Sequence, residues 1–277
     1  MTTGAALPPL REVINAYGLR AEKSLGQNFL LDLNLTGKIA RCPGSLEGEV
    51  VLEIGPGPGG LTRAILASGA KHLYAIEKDT RCLAPLADIS NAFDNRLTVI
   101  EGDALAIDEQ DILPGKAHII ANLPYNVATP LLIKWLKSRK QFKSMTLMFQ
   151  KEVGDRITAE PGSKAYGRLS IISQWLCHVS KQFDISPKAF TPPPKVVSTV
   201  VKLVPRDEPA FPADQAMLEK VVATAFGQRR KMLRASLKGL GGSAEDNLLT
   251  AGIKPTQRAE ELSVEEFCKL SEIYRQK

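Results

Sequence analysis

Short runs of apolar residues alternate, along the first half of the chain, with segments whose apolar residues follow a helical spacing. Turn-forming residues surround each run, as is typical of strands buried on both faces of a parallel sheet. The runs are Val50–Ile54, Leu73–Glu77, Leu97–Glu101, His118–Ala121 and Met145–Phe149, and the helical segments between them are Leu61–Ser68, Thr80–Ile89 and Thr129–Leu136. The alternation predicts an α/β fold with a mostly parallel, doubly wound sheet.

The pattern changes after Gln150. Two helices, Glu152–Ala159 and Leu169–Cys177, are followed by the β-branched run Val196–Val204, which predicts one late strand. Prolines then interrupt the chain between positions 205 and 212, where we place a domain boundary. The prediction is a domain over residues 1–208, with a lid segment over about residues 1–48, and a small all-helical domain over 209–277. Its four predicted helices are Asp214–Gly227, Arg229–Lys238, Glu245–Ala251 and Val264–Arg275.

A glycine-rich turn follows the first strong strand and opens a helix. Gly55, Gly57 and Gly60 satisfy the spacing G-x-G-x-x-G, which lets a backbone approach a nucleotide closely. Glu77 ends the next strand, where a carboxylate accepts hydrogen bonds from ribose hydroxyls. These features fit a nicotinamide cofactor and S-adenosylmethionine equally well.

Two later strand ends favour S-adenosylmethionine. Asp103 follows the third strand, where a carboxylate can accept a hydrogen bond from an adenine amino group. The fourth strand ends in Asn122-Leu123-Pro124-Tyr125, for which hydride transfer has no evident need. Methyl transfer to the exocyclic amine of adenine does need such a group, because the amine must be held in line with the sulfonium methyl while its hydrogens are accepted. We predict that the Asn122 side chain and the Leu123 carbonyl accept them, that Pro124 stiffens the turn, and that Tyr125 stacks on a flipped purine.

With these residues, the chain resembles one family, the bacterial small-subunit (16S) ribosomal RNA adenine dimethyltransferases, known as RsmA or KsgA. The resemblance extends from about Ser24 to Tyr274. It rests on seven elements in order: Lys23–Leu30, Glu53–Gly57, Glu77, Asp103, Asn122–Tyr125, Phe190–Val196 and Phe226–Arg234. It implies a Rossmann-like class I methyltransferase domain. The implied activity is transfer of methyl groups from S-adenosylmethionine to N6 of two adjacent adenines in the 3′-terminal hairpin of 16S rRNA, in a maturing small subunit.

The same resemblance implies roles for individual residues. It assigns cofactor binding to Asn28, Leu30, Gly55, Glu77, Asp103 and Asn122. Phe190 is expected to form a second wall that sandwiches the target adenine against Tyr125. Lys195 belongs to the matched proline-rich element. Arg229, Arg230, Lys231 and Arg234 belong to the C-terminal basic element, and we expect these basic residues to contact RNA.

The charge distribution agrees with an RNA partner. The chain has 36 basic and 30 acidic residues, and two stretches contain no acid: Ile112–Lys151, with seven basic residues, and Lys220–Ala244, with six. Basic stretches of this kind can contact phosphates, so we expect binding that weakens with salt. Arg230 and Arg234 are expected to share one helical face.

Several other classes are disfavoured. The four cysteines are widely spaced and the three histidines are too few for a metal clamp. The N-terminus lacks a signal-peptide core, and the least charged stretch, 119–133, is too short and too broken to span a bilayer. We therefore expect a cytoplasmic protein, a monomer without metal. The alternatives are a ribosome-assembly checkpoint in which methylation is secondary, a methyltransferase for large-subunit rRNA, and a nicotinamide-dependent oxidoreductase.

Overall fold

Strands and helices alternate through the first 150 residues, as the sequence predicts. The computed structural model describes residues 7–276, with the side chain at position 23 excepted. The strands are β1 (Phe29–Leu30), β2 (Val50–Ile54), β3 (His72–Glu77), β4 (Leu97–Glu101), β5 (Ala117–Ala121), β6 (Phe142–Gln150), β7 (Cys177–Ile185), β8 (Phe190–Thr191) and β9 (Ser198–Pro205). The α-helices are α1 (Leu10–Ala16), α2 (Leu33–Ala40), α3 (Gly60–Ala67), α4 (Leu83–Ala92), α5 (Tyr125–Lys137), α6 (Lys151–Ile157), α7 (Arg168–Leu176), α8 (Gln215–Gly227), α9 (Leu233–Ser236), α10 (Ala244–Thr250) and α11 (Val264–Arg275).

The main sheet has seven strands in the order β4-β3-β2-β5-β6-β9-β7. The five strands from β4 to β6 are parallel, and β9 pairs antiparallel with β6. Strand order reverses between β2 and β5, because β3 and β4 lie on one side of β2 while β5 and β6 lie on the other. In a doubly wound sheet, the crevice outside the carboxyl ends of the strands at this point binds ligands. The fold class predicted from the sequence is confirmed.

The apolar runs become buried strands because helices shield the sheet from water. Every residue of β5 is buried, and four of the five residues of β2 are. Ile39, Ile65 and Ile89, which come from α2, α3 and α4, belong to one hydrophobic cluster with residues of these strands. Burying side chains of this size contributes ~1.5–3 kcal/mol each before entropy is counted.

Helix α5 begins directly after Pro124, which is its N-cap residue. Its inner face buries Leu131 and Trp135 among other side chains. The indole Nε1 of Trp135 donates to Glu109 at 2.7 Å, and Lys134 forms an ion pair with the same carboxylate at 2.9 Å. The start of α5, where Tyr125 lies, therefore belongs to a helix that is anchored to the loop after β4.

The chain divides into two compact units. One comprises the chain up to Gly154 together with Ser180–Pro205, and the other comprises Asp155–Val179 and Arg206–Lys277. In the second unit the centre of the Phe226 ring lies 6.3 Å from the centre of the Tyr166 ring and 5.9 Å from that of Phe267. Helix α7 packs against α8 and α11, so a segment that precedes the predicted boundary belongs with the C-terminal helices. The boundary near residue 205 itself stays a prediction.

Several elements differ from the sequence-based expectation. The predicted helix Arg229–Lys238 is wrong over its first residues, since the α-helix begins only at Leu233 after a turn. The sequence pattern does not predict strand β7. Most of its residues are polar and exposed, as is typical of a strand at the edge of a sheet. The short strands β1 and β8 pair with each other, with Leu30 opposite Phe190. A strand of two residues is too short to show an alternation of apolar and polar residues in the sequence.

Candidate active site

A cleft lies at the point where strand order reverses, at the carboxyl ends of β2, β3, β4 and β5. Its walls come from the glycine-rich turn after β2, the strand ends at Glu77 and Asp103, the tetrad Asn122–Tyr125, the segment Ser24–Leu30, and Phe190. Parallel strands place their carboxyl ends at one edge, so residues far apart in sequence meet here. The structure thus brings together all of the predicted catalytic and cofactor residues.

The glycine-rich turn uses its glycines for two different reasons. Gly55, Gly57 and Gly59 have φ angles of 65°, 55° and 90°, a region that other residues rarely adopt. Gly60 has an ordinary φ, but a Cβ there would lie 2.6 Å from the carbonyl oxygen of Leu30. The fingerprint glycine that opens α3 is therefore required because the segment carrying Leu30 passes directly over it.

Glu77 is held by backbone donors at the end of β3. It is 4% exposed, and its two carboxylate oxygens accept hydrogen bonds from the N–H groups of Gly57 at 2.9 Å and Asp79 at 2.7 Å. Burial raises the pKa of this carboxyl, although both of these hydrogen bonds lower it. Because the carboxylate is fixed in place, its remaining lone pairs point in defined directions, which suits the recognition of a pair of vicinal hydroxyls.

Asp103 is held differently, at the end of β4. Lys78 forms an ion pair with it at 2.9 Å, and the N–H of Leu105 donates to it at 2.9 Å. The Lys78 hydrogen bond, with help from Leu105, holds the pKa of this carboxyl below its usual range. Its side chain is 41% exposed, so Asp103 is an ionised acceptor at the rim of the cleft.

Asn122 follows β5 directly and touches the segment that covers the cleft. Its Nδ2 donates to the backbone carbonyl of Asn28 at 3.3 Å, which leaves the side-chain oxygen as the acceptor at the cleft. Leu123 also lines the cleft, although the residue as a whole is only 2% exposed. The tetrad therefore offers a carboxamide oxygen and a peptide group side by side.

Tyr125 lines the cleft as the first residue of α5. Its hydroxyl is 2.6 Å from the Oγ of Ser198. Burial raises the pKa of the phenol above its ordinary value near 10, and the Ser198 hydrogen bond opposes this shift. The phenol is thus neutral near pH 7, and it offers an aromatic face rather than a base.

The segment Ser24–Leu30 lies over the cleft and is fixed to β3. The Gln27 side chain donates to Asp79 at 2.8 Å, and Arg81 forms an ion pair with the same carboxylate. Asn28 is half-buried and lines the cleft. Leu30 also lines the cleft, but the residue is only 5% exposed and belongs to the hydrophobic core cluster.

Phe190 lines the cleft from β8 and is 3% exposed. Its ring also belongs to the hydrophobic core cluster, so one aromatic side chain serves both the core and the wall of the cleft. Lys195 lies in the exposed turn that follows the prolines.

The basic residues of the second unit do not form the predicted single face. Arg230 and Lys231 lie in the exposed turn before α9, and Arg234 is the second residue of that helix. Arg229 donates to the carbonyl of Lys164 at 2.7 Å and lies 3.6 Å from a Glu260 oxygen. The expectation that Arg230 and Arg234 share a helical face is wrong, because no helix joins them.

The acid-free stretch Ile112–Lys151 is less available to phosphates than its composition indicates. At least three of its lysines form ion pairs with acids from elsewhere in the chain. These pairs are Lys134 with Glu109, Lys143 with Glu49, and Lys151 with Asp184. Counting charge along the sequence therefore overstates the basic surface of this stretch.

Sequence reasoning missed four residues that hold the site together: Gln27, Lys78, Asp79 and Ser198. Asp79 could have been found, because an acid before Thr80 at the start of a helical pattern is a typical N-cap. Ser198 gives a weaker signal, a hydroxyl at the start of a β-branched buried strand. Gln27 and Lys78 act through partners that only the fold brings near.

Comparison with known proteins identifies the family. The family model described as "Ribosomal RNA adenine dimethylase" matches residues 18–276. A protein from Rhodospirillum rubrum named "Ribosomal RNA small subunit methyltransferase A" is 59% identical over 270 residues, covering 98% of this chain and 93% of its own length. A protein of the same name from Dinoroseobacter shibae is 60% identical over 268 residues, covering 96% of each chain.

Solved structures agree with this. A dimethyladenosine transferase from Plasmodium falciparum has a TM-score of 0.75 and 28% identity, covering 86% of this chain and 94% of its own. The 23S rRNA methyltransferase ErmE, at 24% identity and a TM-score of 0.71 over 90% of this chain and 100% of its own, shares the fold. With a family model matched over nearly its whole length, the chain belongs to the ribosomal RNA adenine dimethylase family.

Proposed function

We propose that this protein transfers methyl groups from S-adenosylmethionine to N6 of two adjacent adenines in the 3′-terminal hairpin of 16S rRNA, during maturation of the small subunit. The observation that carries the proposal is the position of Asn122. The carbonyl of Asn28 accepts a hydrogen bond from the side-chain amide of Asn122 at 3.3 Å. The side-chain oxygen of Asn122 is therefore left for a ligand in the crevice where strand order reverses. A purine amine is the kind of donor that such an acceptor binds.

The residues at the cofactor end fit S-adenosylmethionine. Glu77, fixed by two backbone N–H groups, would accept hydrogen bonds from the ribose hydroxyls, and Asp103 would accept one from the adenine amino group. Gly55 would let the backbone approach closely because it has no side chain, and its φ of 65° is one that glycine adopts readily. Asn28 and the Leu30 backbone would cover the cofactor. When bound, S-adenosylmethionine supplies an electrophilic methyl group on a sulfonium sulfur.

The tetrad would act on the amine. The Asn122 oxygen and the Leu123 carbonyl accept the two N6 hydrogens, so the nitrogen can pyramidalise and present its lone pair. With the methyl group that bound S-adenosylmethionine would supply, N6 would gain one carbon and would release its surplus proton to water. The raised pKa of Tyr125 keeps the phenol neutral, so it does not take this proton. In the second transfer only one N6 hydrogen remains, so one acceptor suffices.

The target adenine would leave its stack and lie between aromatic rings. Tyr125 and Phe190 both line the cleft and would form these walls, while Pro124 holds the start of α5. Lys195, together with the basic residues Arg229, Arg230, Lys231 and Arg234, would contact the phosphate backbone. We propose that the protein acts as a monomer on small subunits in the cytoplasm.

The test is to incubate the protein with labelled S-adenosylmethionine and under-methylated small subunits, then to digest the RNA and identify the modified nucleoside by mass spectrometry. The expected product is N6,N6-dimethyladenosine from the 3′-terminal hairpin. Large-subunit RNA in a parallel reaction should stay unlabelled. Recovery of a ribose-methylated nucleoside alone, or label in large-subunit RNA alone, would overturn the proposal.

A further inference from the structure

The hydroxyl of Tyr125 has a partner from a distant part of the chain. It lies 2.6 Å from the Oγ of Ser198, although the two residues are 73 positions apart. Ser198 is fully buried, at 0% exposure, so water does not compete for its hydroxyl. The hydrogen bond therefore joins the end of the catalytic tetrad to the start of β9.

Ser198 is held firmly on its own side. It pairs with Gln150 across the β6–β9 ladder, whose antiparallel register runs from there to Met145 and Leu203. Eight residues earlier in the chain, Phe190 pairs with Leu30 in the short second sheet. The strand that anchors Tyr125 thus continues directly from the segment that carries the other aromatic wall.

A tyrosine side chain without a partner for its hydroxyl is less firmly held, because a change of its χ1 rotamer would move the whole ring. A half-buried phenol that lost its partner would also leave a polar group unsatisfied. The hydrogen bond to Ser198 removes both problems. It fixes the far end of the ring, while the helix backbone fixes the near end.

We propose that Ser198 is a positioning residue for methyl transfer, which fixes the position of the Tyr125 ring against which the target purine stacks. This rests on the proposed function. Ser198 acts through Tyr125 and need not touch the substrate. Since the cofactor residues Glu77 and Asp103 are held by other partners, loss of the Ser198 hydroxyl affects the transfer step and leaves cofactor affinity unchanged.

The test is a double-mutant cycle with Ser198→Ala, Tyr125→Phe and the double variant. Single-turnover methyl transfer to under-methylated small subunits is measured, together with the S-adenosylmethionine Kd by calorimetry. We expect each single variant to lose about tenfold in rate, because small misplacements of reacting groups cost up to ~10². The double variant should lose no more than either single variant, and the Kd should stay within about twofold.

A matched control is Ser144→Ala. Ser144 is also buried, and its Oγ forms a 2.7 Å hydrogen bond with the ring of His118, between β6 and β5 in the same sheet. It should leave the transfer rate unchanged. If Ser198→Ala fails to fold, Tyr125→Phe decides, because it removes the same hydrogen bond and leaves β9 intact.

Two results would overturn the proposal: a Ser198→Ala or Tyr125→Phe rate within twofold of the wild type, or a double variant whose loss is the product of the single losses. A wild-type protein that forms no N6,N6-dimethyladenosine would instead contradict the proposed function itself. The two failures are therefore distinct.

Discussion

The two halves of the cleft are held together in different ways. In the cofactor half, formed by the ends of β2, β3 and β4, the buried carboxylate Glu77 is fixed by backbone donors, the N–H groups of Gly57 and Asp79. The substrate half, formed by residues 122–125 and 190–198, is fixed by side-chain hydrogen bonds between distant segments. These join Asn122 to Asn28 and Tyr125 to Ser198. A side-chain change should therefore reduce affinity in the first half and rate in the second.

The largest effect is expected in the substrate half. Asn122→Ala removes an acceptor that binds best as charge develops on the amine, and loss of one such group costs roughly 10²–10³ in kcat. We expect methyl transfer to small subunits to fall by about that factor. Asn122 is also expected to touch the cofactor, but Glu77 and Asp103 keep their own partners, so the S-adenosylmethionine Kd measured by calorimetry should rise by no more than about threefold. Asn91→Ala, at an exposed asparagine of α4, is the control and should match the wild type.

The same Asn122→Ala variant separates catalysis from a checkpoint role. If subunit maturation proceeds normally without methylation when this variant replaces the wild type, then binding, not catalysis, is the part that matters for assembly. A variant that keeps more than about a tenth of the wild-type rate would contradict the difference between the two halves, since Asn122 would then be dispensable.

Glu53 provides a prediction for the stability of the cofactor half. It lies at the end of β2, is 2% exposed, and accepts a hydrogen bond from Thr62 at 2.7 Å. Burial raises the pKa of its carboxyl to about 8, the Thr62 bond opposing and Glu77 adding to the shift. Because the pKa is higher in the folded state, the protonated carboxyl contributes to the free energy of unfolding. This contribution is largest below the unfolded-state pKa, near 4.5, and it is lost as the pH rises through about 8.

Glu53→Gln should therefore flatten the pH dependence of stability. Between about pH 6 and pH 9 we expect the wild type to lose on the order of 2–3 kcal/mol of unfolding free energy relative to this variant, as ~1.4 kcal/mol per pKa unit implies. Urea unfolding at several pH values measures it. The control is Glu152→Gln, at an exposed carboxylate, whose stability should depend on pH as that of the wild type does. If the unfolding free energy of Glu53→Gln falls with pH as steeply as that of the wild type, Glu53 does not titrate in this range.

The cofactor half was the more predictable from sequence, for a physical reason. Its determinants are local: apolar runs long enough to be strands, glycines at a turn, and acids at strand ends, so β2 and β4 begin and end as predicted. The residues of the substrate half were also named, but their partners were not. Ser198 and the carbonyl of Asn28 meet the tetrad only after the sheet has formed.

The errors have the same origin. Arg229–Arg234 has a composition that a helix tolerates, yet α9 begins only at Leu233, whose side chain is buried. Tertiary packing decided where the helix starts, and a propensity argument does not include it. Strand β7 is hard to predict because most of its residues are polar. Its alternation of apolar and polar residues is too weak to distinguish a strand from a helix.

The third largest effect concerns Glu77. Glu77→Gln keeps the size of the side chain but replaces one acceptor oxygen with an amide donor facing the N–H of Gly57 or Asp79. We expect the S-adenosylmethionine Kd to rise about ten- to hundredfold, since a ribose hydroxyl that is left without its acceptor in the complex costs ~1–3 kcal/mol. At saturating cofactor the transfer rate should recover to within about threefold.

Glu101→Gln is the matched control for Glu77→Gln. Glu101 lies opposite Glu77 in the ladder between β3 and β4, but it is exposed. The S-adenosylmethionine Kd of the Glu101→Gln variant should stay at the wild-type value. A loss of rate at saturating cofactor in the Glu77 variant would place this residue in the transfer step and erase the distinction between the two halves.

The smallest effect should come from Asp103, in the same half as Glu77 but differently held. Its side chain is 41% exposed and its ion pair with Lys78 lies in solvent, where such pairs contribute ~0–1 kcal/mol. Asp103→Asn retains an oxygen for the Leu105 N–H, so we expect the Kd to rise only about two- to fivefold in calorimetric titrations, with the difference shrinking as salt is added. Because Lys78 holds the pKa of this carboxyl low, the wild-type affinity should be constant from about pH 6 upward as far as this group is concerned. A fifty-fold loss would mean that the exposed carboxylate is as essential as the buried one, and that fixation by backbone donors is not what makes Glu77 the stronger contact.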